Sequence, residues 1–275
     1  MPFLPPKQKR YPFSLSTPSL MSIYAVPPGK WLVGADLSQL EARVVAALAQ
    51  DEVMLECFRA GRDLHALNAQ GLFRVAPPLW DAHPERDLMR DLAKIFLFGG
   101  LMYGGAPKTI HEQLLRKRPK TTLREVEEAI TAWIADHPAI PIWQQRQVAN
   151  AKRDGYVEIP GMGTRSYFYG VLEPTICLNF PVQGVGAFAM KQIIKRVAAR
   201  IDWVQTAIVM QVHDALYLET DDPVGTWALL KEEMTRTMRF DHYELPLEAD
   251  VGISDGGWGN VEKCKCKTIE AARAL

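Results

Sequence analysis

The sequence has no excess of charge, no long apolar run and no paired cysteine motif. Its 32 lysines and arginines balance 32 aspartates and glutamates, so any anionic partner must meet a local basic patch. The apolar runs fall far short of the roughly 20 residues that a membrane helix needs. The four cysteines lie at positions 57, 177, 264 and 266 without CxxC spacing, which favours reduced thiols and a cytoplasmic location.

What is present is ordinary for a globular protein. Of 275 residues, 48% are hydrophobic and 23% are charged, which is enough for one or two domains with a core. The first residues, Met1-Pro-Phe-Leu-Pro-Pro, are too rich in proline for a signal peptide. We interpret the proline-rich start of the chain as an irregular arm laid over the body.

Periodicity predicts one strand, then many helices, then further strands. Helical patterns cover Ser38–Ala60, Glu85–Leu115, Leu123–Trp133, Ile142–Arg153, Gln183–Ile201 and Val224–Phe240. Strand patterns cover Trp31–Asp36, a hairpin in Tyr156–Tyr169, and the runs Ala207–Val212, Leu216–Glu219 and Leu247–Val251. This order predicts an α+β fold in which a long helical insertion interrupts a sheet.

Two aspartates occupy positions where a carboxylate needs a partner. Asp36 ends the first strand, and Asp214 sits at the tip of the hairpin between the two late apolar runs. Desolvating a carboxylate alone is costly, so each must bind or cap something. One alternative is a ligand site; the other is that Asp36 caps the helix beginning near Ser38 and Asp214 simply makes the turn.

The surroundings of these aspartates resemble the motifs of family A DNA polymerases, the bacterial DNA polymerase I type. Asp36-Leu-Ser-Gln-Leu-Glu41-Ala-Arg43 resembles the first palm motif, Asp-Tyr-Ser-Gln-Ile-Glu-Leu-Arg. Arg90-Asp-Leu-Ala-Lys94-Ile-Phe-Leu-Phe98-Gly resembles the second motif, and Gln211-Val-His213-Asp214-Ala215 resembles the third, Gln-Val-His-Asp-Glu. Four shorter segments also resemble family motifs and occur in the family's order, so the match is specific. They begin at Gly61, Gly155, Asn179 and Leu247.

The resemblance implies a right-hand polymerase fold with an antiparallel palm sheet and a helical fingers insertion. We expect residues 1–41 to form an arm and the first part of the palm, 42–178 the fingers, and 179–275 the second part of the palm and a tail. The implied function is a DNA-directed DNA polymerase. It would act on primer–template DNA and deoxynucleoside triphosphates in a bacterial or phage-infected cell.

The resemblance also implies a metal site. Phosphoryl transfer to a primer 3′-hydroxyl uses two divalent cations, and hard oxygen ligands suit Mg²⁺. The implied ligands are the carboxylates of Asp36 and Asp214 and the backbone carbonyl of Leu37. We expect two Mg²⁺ ions, with Mn²⁺ able to substitute.

Six residues are expected to contact the incoming nucleotide. Arg90, Lys94 and Phe98 are four residues apart, so two cations and a ring share one helix face. The resemblance adds His65 at the triphosphate, Glu41 crowding the 2′ position of the sugar, and Tyr103 beside the templating base.

Four further residues are expected to contact DNA. Asn179 and Gln183 resemble the residues that touch template and primer near the minor groove. Arg165 matches one member of a basic pair that contacts the template backbone, although Ser166 stands where the second arginine is expected. His213 belongs to the third motif.

The sequence departs from the family pattern at two places inside the motifs. Ala215 replaces the glutamate that ends the third motif, from which we expect altered metal preference or rate. Phe98-Gly-Gly-Leu-Met-Tyr103 contains one residue more than the family's Phe-Gly-x-x-Tyr. Either a π-bulge at the glycines restores Tyr103, which we favour, or Met102 takes its position.

The family carries a thumb, and usually an exonuclease domain, before the first palm motif, and we expect this chain to lack both. The apolar arm Met1–Leu20 then suggests a docking surface for a thumb-like or exonuclease polypeptide or for a second copy, or it packs on its own palm. The competing hypothesis is a catalytically weak subunit of polymerase ancestry that only grips nucleic acid or a protein. A third hypothesis is a polymerase with unusual template use, such as RNA copying.

Overall fold

The computed structural model describes residues 24–98, 100–261, 265–266 and 269–274. The arm expected over Met1–Leu20 lies outside these residues. The strands in chain order are β1 (Trp31–Leu37), β2 (Tyr156–Glu158), β3 (Arg165–Tyr167), β4 (Thr206–Val212), β5 (Ala215–Thr220), β6 (Met238–Phe240), β7 (Tyr243–Leu245), β8 (Ala249–Ser254) and β9 (Lys265–Cys266). The α-helices are α1 (Leu40–Ala49), α2 (Glu52–Arg59), α3 (Leu64–Phe73), α4 (Pro77–Trp80), α5 (Arg86–Phe98), α6 (Pro107–Leu114), α7 (Leu123–Asp136), α8 (Ala139–Asp154), α9 (Pro174–Ala198), α10 (Pro223–Thr235), α11 (Trp258–Val261) and α12 (Ile269–Arg273).

The main sheet is antiparallel and has the strand order β4-β5-β1-β8-β9. Its central strand, β1, alternates between two apolar environments, as the period of two in a strand requires. Val33, Ala35 and Leu37 join the large core, whereas Leu32 joins a smaller cluster with Ala215 and Tyr217 on the other face. Asp36 shares the parity of Leu32, so it belongs to the face with the smaller cluster.

The long segment between β1 and β4 is largely helical, so the predicted α+β class with a helical insertion is confirmed. The large core runs from the sheet into the insertion without interruption. The predicted boundaries after residues 41 and 178 both fall inside continuous helices, α1 and α9, which pack against each other. The three-part division stays a prediction.

Helix α9 begins nine residues before the predicted start at Gln183. Pro181 lies inside it and is a local signal against a helix, because proline removes one helical hydrogen bond. The helix continues through Pro181 because Leu178, Val182 and Val185 are buried at helical spacing on the same side. Burial here outweighs the lost hydrogen bond.

The helix predicted over Val224–Phe240 was too long. It ends at Thr235, and a hairpin of β6 and β7 follows, turning at Asp241 with a φ of 51°. Met238 and Phe240 are buried on alternate residues, which is the period of a strand.

None of the helices in the described residues combines the length and the hydropathy that a membrane span requires.

Candidate active site

Asp36 and Asp214 meet at one end of the sheet. Asp36 lies in register with Ala215 of β5, and the backbone N–H of Leu37 donates to the carbonyl oxygen of Asp214 at 3.1 Å. The turn that carries Asp214 needs a left-handed residue, and His213 has a φ of 53°. The tertiary fold therefore brings together two aspartates that are far apart in sequence.

Asp36 does not cap the following helix. The N-cap of α1 is Gln39, in a left-handed conformation and without a side-chain cap. The turn after Asp36 is instead held by buried Arg43, which donates to the carbonyl oxygens of Ser38 at 2.7 Å and Pro246 at 3.0 Å. The capping alternative for Asp36 is wrong.

The neighbours of Asp36 on the two adjacent strands differ in chemistry. Ala215 on β5 offers no oxygen, whereas Asp250 on β8 lies in register on the other side of Asp36. Residues directly opposite in an antiparallel pair point to the same face. The described ranges hold no group of three or more histidines, cysteines, aspartates or glutamates arranged for a metal ion.

Glu41 and Tyr103 are in direct contact. The hydroxyl of Tyr103 donates to Oε2 of Glu41 at 2.9 Å. Burial of the ring and the adjacent Glu41 carboxylate both raise the pKa of Tyr103, so the phenol keeps its proton. The side chain of Met102 is fully buried, so Tyr103 and not Met102 lies beside Glu41.

One of the two glycines at which the π-bulge is expected, Gly99, lies outside the described residues. Helix α5 ends at Phe98, and a 3-10 turn follows over Leu101–Tyr103. The carbonyl oxygen of Gly100 accepts from the backbone N–H groups of Tyr103 at 3.1 Å and Gly105 at 2.6 Å. These bonds describe the turn after Gly100, and the π-bulge at Gly99-Gly100 stays a prediction.

Helix α5 places Arg90 and Lys94 on one side. Arg90 donates to Oδ2 of Asp63 at 2.6 Å, and Lys94 is exposed. Phe98 belongs to the same helix, but its side chain lies outside the described part of the structure. Burial opposes ionisation of Asp63, but the hydrogen bond and charge of Arg90 outweigh it and lower the pKa of the carboxyl.

Asp63, which was not among the expected site residues, contacts one of them, Arg90. It caps helix α3, itself unpredicted, by accepting from the backbone N–H of His65 at 2.8 Å. An aspartate directly before a helical run is a recognised N-cap signal, so Gly61-Arg-Asp63 could have revealed the helix. Its pairing with Arg90 across the fold has no such local signal.

His65 is buried, with 2% of its surface exposed. Burial lowers its pKa to about 4, so the ring is neutral at physiological pH. A neutral imidazole brings no positive charge to a triphosphate. The expected contact stays a prediction and would have to be a hydrogen bond.

The four residues expected at DNA are spread over three elements. Arg165 on β3 is exposed, donates to Oε2 of Glu158 at 2.5 Å and stacks on the Tyr156 ring. Asn179 and Gln183 are one helical turn apart on α9, and Gln183 is exposed. His213 is exposed at the turn beside Asp214, and its carbonyl oxygen accepts from Gln211.

Comparison with known proteins gives matches over most of the chain. The thermostable DNA polymerase I of Thermus filiformis is 30% identical over 240 residues, which cover 84% of this chain and 27% of that protein. DNA polymerase I of Geobacillus stearothermophilus is 30% identical over 220 residues, covering 76% of this chain and 23% of that protein. The chain therefore spans about a quarter of the length of these relatives.

A solved structure agrees with the sequence matches. The POL domain of Pol1 from M. smegmatis, in complex with DNA primer-template and dNTP, superposes with a TM-score of 0.74 at 26% identity. The match covers 88% of this chain and 42% of that one. Residues 17–260 match the family described as DNA polymerase family A. Since that match includes β1, the helical insertion and the β4–β5 turn, the chain belongs to DNA polymerase family A.

Proposed function

We propose that the chain adds deoxynucleotides to a primer 3′ end under the direction of a template. The reaction is a phosphoryl transfer from the incoming triphosphate to the primer hydroxyl. The observation that carries the proposal is the meeting of Asp36 and Asp214, through the hydrogen bond from Leu37 to the Asp214 carbonyl. Similarity to a POL domain bound to primer-template and dNTP supports the choice of substrates.

Asp36, Asp214 and the carbonyl of Leu37 would hold two Mg²⁺ ions, with Mn²⁺ able to substitute. The donor set fits, because Mg²⁺ in polymerase sites takes one or two carboxylates and completes its shell with water and substrate phosphates. This agrees with the lack of a larger ligand cluster in the described residues. When bound, such ions increase the acidity of the primer hydroxyl and offset the charge of the triphosphate.

Arg90 and Lys94 would bind the triphosphate from α5. Arg90 is engaged by Asp63 in this conformation, whereas Lys94 is exposed. A triphosphate carries more negative charge than one carboxylate, so it can compete with Asp63 for the guanidinium. Asp63 then acts as a holder that keeps Arg90 oriented before the nucleotide arrives, and His65 adds a neutral hydrogen bond.

Glu41 and Tyr103 would select the sugar. Their hydrogen bond fixes the carboxylate of Glu41 in one place. A ribonucleotide would bring its 2′-hydroxyl against this pair, whereas a deoxynucleotide would not. The chain is thus expected to prefer deoxynucleotides.

Arg165, Asn179, Gln183 and His213 would contact the primer–template duplex. With a net charge of zero, the chain has little electrostatic attraction for DNA outside local patches. We therefore propose weak, salt-sensitive binding and short products. A thumb-like or exonuclease polypeptide, or a second copy of the chain, would raise processivity; long products from the isolated monomer under trap-quenched conditions would remove the need for it.

The test is extension of a labelled primer on templates that differ in one base. We expect only the complementary deoxynucleotide to be added, with no addition after the divalent cation is chelated by EDTA and recovery when Mg²⁺ is restored. Addition of the same nucleotide on every template would contradict template direction. Addition that continues in EDTA would contradict the metal assignment.

One observation favours a second candidate function, a polymerase-derived subunit that only binds nucleic acid. Ala215 removes an oxygen that the family pattern provides next to Asp36. Fluorescence anisotropy with the same primer–template separates the two candidates. Binding without any incorporation, in both Mg²⁺ and Mn²⁺, would support the binding subunit and exclude the polymerase.

A further inference from the structure

A cavity of about 690 Å³ lies between α3, α5 and α7, away from the candidate active site. This volume falls within the range of small-molecule sites. Leu92 and Phe96 of α5 line it, together with Phe73 and Val126. Leu92 is two residues from both Arg90 and Lys94, about 200° around the helix, so the cavity faces the reverse side of α5.

Three residues that line the cavity, His137, Trp133 and Asn68, contact one another in series, and His137 also contacts Asp51, which does not line it. Nδ1 of His137 donates to Oδ1 of Asp51 at 3.0 Å, and both side chains are buried. The His137 ring packs on Trp133 with 4.5 Å between centroids. Nε1 of Trp133 donates to Oδ1 of Asn68 at 3.1 Å. These contacts connect Asp51 to His137, His137 to Trp133, and Trp133 to Asn68.

The order of these contacts leaves one hydrogen-bond donor, the NH₂ group of Asn68, at the end of the series. An indole N–H can only donate, so the amide oxygen of Asn68 must face Trp133. Its NH₂ group has no hydrogen-bond partner and is shielded from solvent, since only 5% of the residue is exposed. Asn68 lines the cavity. A buried donor without an acceptor is unfavourable, and an acceptor inside the cavity would relieve it.

Thr121 carries a second buried polar atom without a hydrogen-bond partner. The hydroxyl of Thr121 is buried without a partner, and Thr121 also lines the cavity. Its position is fixed because its carbonyl oxygen bonds to Nε2 of His111 at 2.8 Å. Two residues that carry an unpartnered polar atom, one on α3 and one between α6 and α7, thus line one largely apolar space.

We propose that this cavity binds a small neutral molecule with an aromatic body and a carbonyl oxygen. The carbonyl accepts from the NH₂ of Asn68, and the aromatic body packs against the apolar walls. The charged residues that line the cavity have both signs, so they favour a neutral ligand over a carboxylate: Arg74, Arg118, Glu125, Glu128 and Asp136. The Thr121 hydroxyl meets a second polar atom of the ligand.

Benzamide is the probe, and toluene is the matched compound without a carbonyl or amide. Titration followed by NMR should give saturable shifts of the Trp133 indole N–H at millimolar benzamide. Toluene should bind at least about ten-fold more weakly, because it leaves the Asn68 donor unpaired. Asn68→Asp keeps an oxygen for Trp133 but removes the donor, so benzamide affinity should fall by about ten-fold.

Two phenylalanine substitutions on α7 test the location. Ala129 lines the cavity, whereas Thr131 is exposed on the same helix and does not. Ala129→Phe should abolish benzamide binding and Thr131→Phe should leave it unchanged. Equal binding of toluene and benzamide by the wild-type protein, absence of saturable shifts, or unchanged binding in Ala129→Phe would each overturn the proposal. The wild-type comparison stands even if a variant fails to fold.

Discussion

Glu233 on α10 is expected to be one of the most costly side chains to remove. Only 2% of it is exposed, and its carboxylate accepts from Nε of Arg196 at 2.6 Å and from Arg200 at 2.5 Å. Both arginines belong to the end of α9 or the residues directly after it. Glu233 therefore ties α9 to α10 through two charge-assisted hydrogen bonds.

Its neighbour Glu232 provides a matched control. Glu232 is the same residue type and also pairs with Arg200, at 2.8 Å, but its side chain is 61% exposed. Removing Glu233 breaks two charge-assisted hydrogen bonds, but the arginine side chains left behind are 26% and 43% exposed, so the expected loss is about 1.5–3 kcal/mol. Removing one partner of an exposed pair costs about 0–1 kcal/mol. Glu233→Ala should thus lose several times more free energy of unfolding than Glu232→Ala.

Urea denaturation followed by circular dichroism measures both free energies of unfolding. Burial opposes ionisation of Glu233, but Arg200 and Arg196 outweigh it and lower its pKa below the ordinary 4.5. The contribution is therefore present above pH 4.5 and is lost as pH falls through the lowered pKa. Equal losses in the two variants at pH 7 would contradict this expectation, because burial would then have no effect on the pair.

Four further outcomes are expected. Glu41→Ala should lower the ratio of deoxynucleotide to ribonucleotide kcat/KM, and an unchanged ratio would remove it from sugar selection. Lys94→Ala should lower kcat/KM by about 1.5–3 kcal/mol of transition-state binding; normal incorporation would leave α5 without that role. Gly105→Ala places a Cβ 2.4 Å from Cα of Gly100 and should destabilise the fold by about 1–3 kcal/mol, unlike Gly71→Ala, which has open space; equal melting temperatures would contradict this. As pH is lowered from 6.5 to about 4, the free energy of unfolding should decrease, since only the unfolded state protonates His65 in this range. His65→Gln should make this decrease smaller.

The parts of the fold with a strong local pattern were predictable. Strand β1 and the β4–β5 turn follow from apolar runs that stop at Asp36 and Asp214. The β6–β7 hairpin was missed because Met238 and Phe240 directly follow a helical pattern. Its strands become clear only when the core they face is known. The early start of α9 was missed because proline is a valid local stop signal that burial overrides here.

The candidate site divides in the same way. The residues of the motifs could be named from their order, but their contacts could not. The bond from Tyr103 to Glu41 depends on the turn over Leu101–Tyr103, and the pair of Arg90 with Asp63 joins two helices. Burial of His65 likewise depends on the packing of α3 against α5. Contacts between elements come from tertiary packing, which no local spacing encodes.

The assignment of Asp36 and Asp214 as metal ligands is tested most directly by single-turnover incorporation by Asp36→Ala and Asp214→Ala. Asp255→Ala is the control, since Asp255 follows β8 at the end opposite Asp250 and is exposed. Primer–template affinity and circular dichroism are measured on the same preparations. We expect both site variants to fold and bind DNA but to add no nucleotide, while the control matches the wild type. Incorporation near the wild-type rate by either site variant would contradict the assignment.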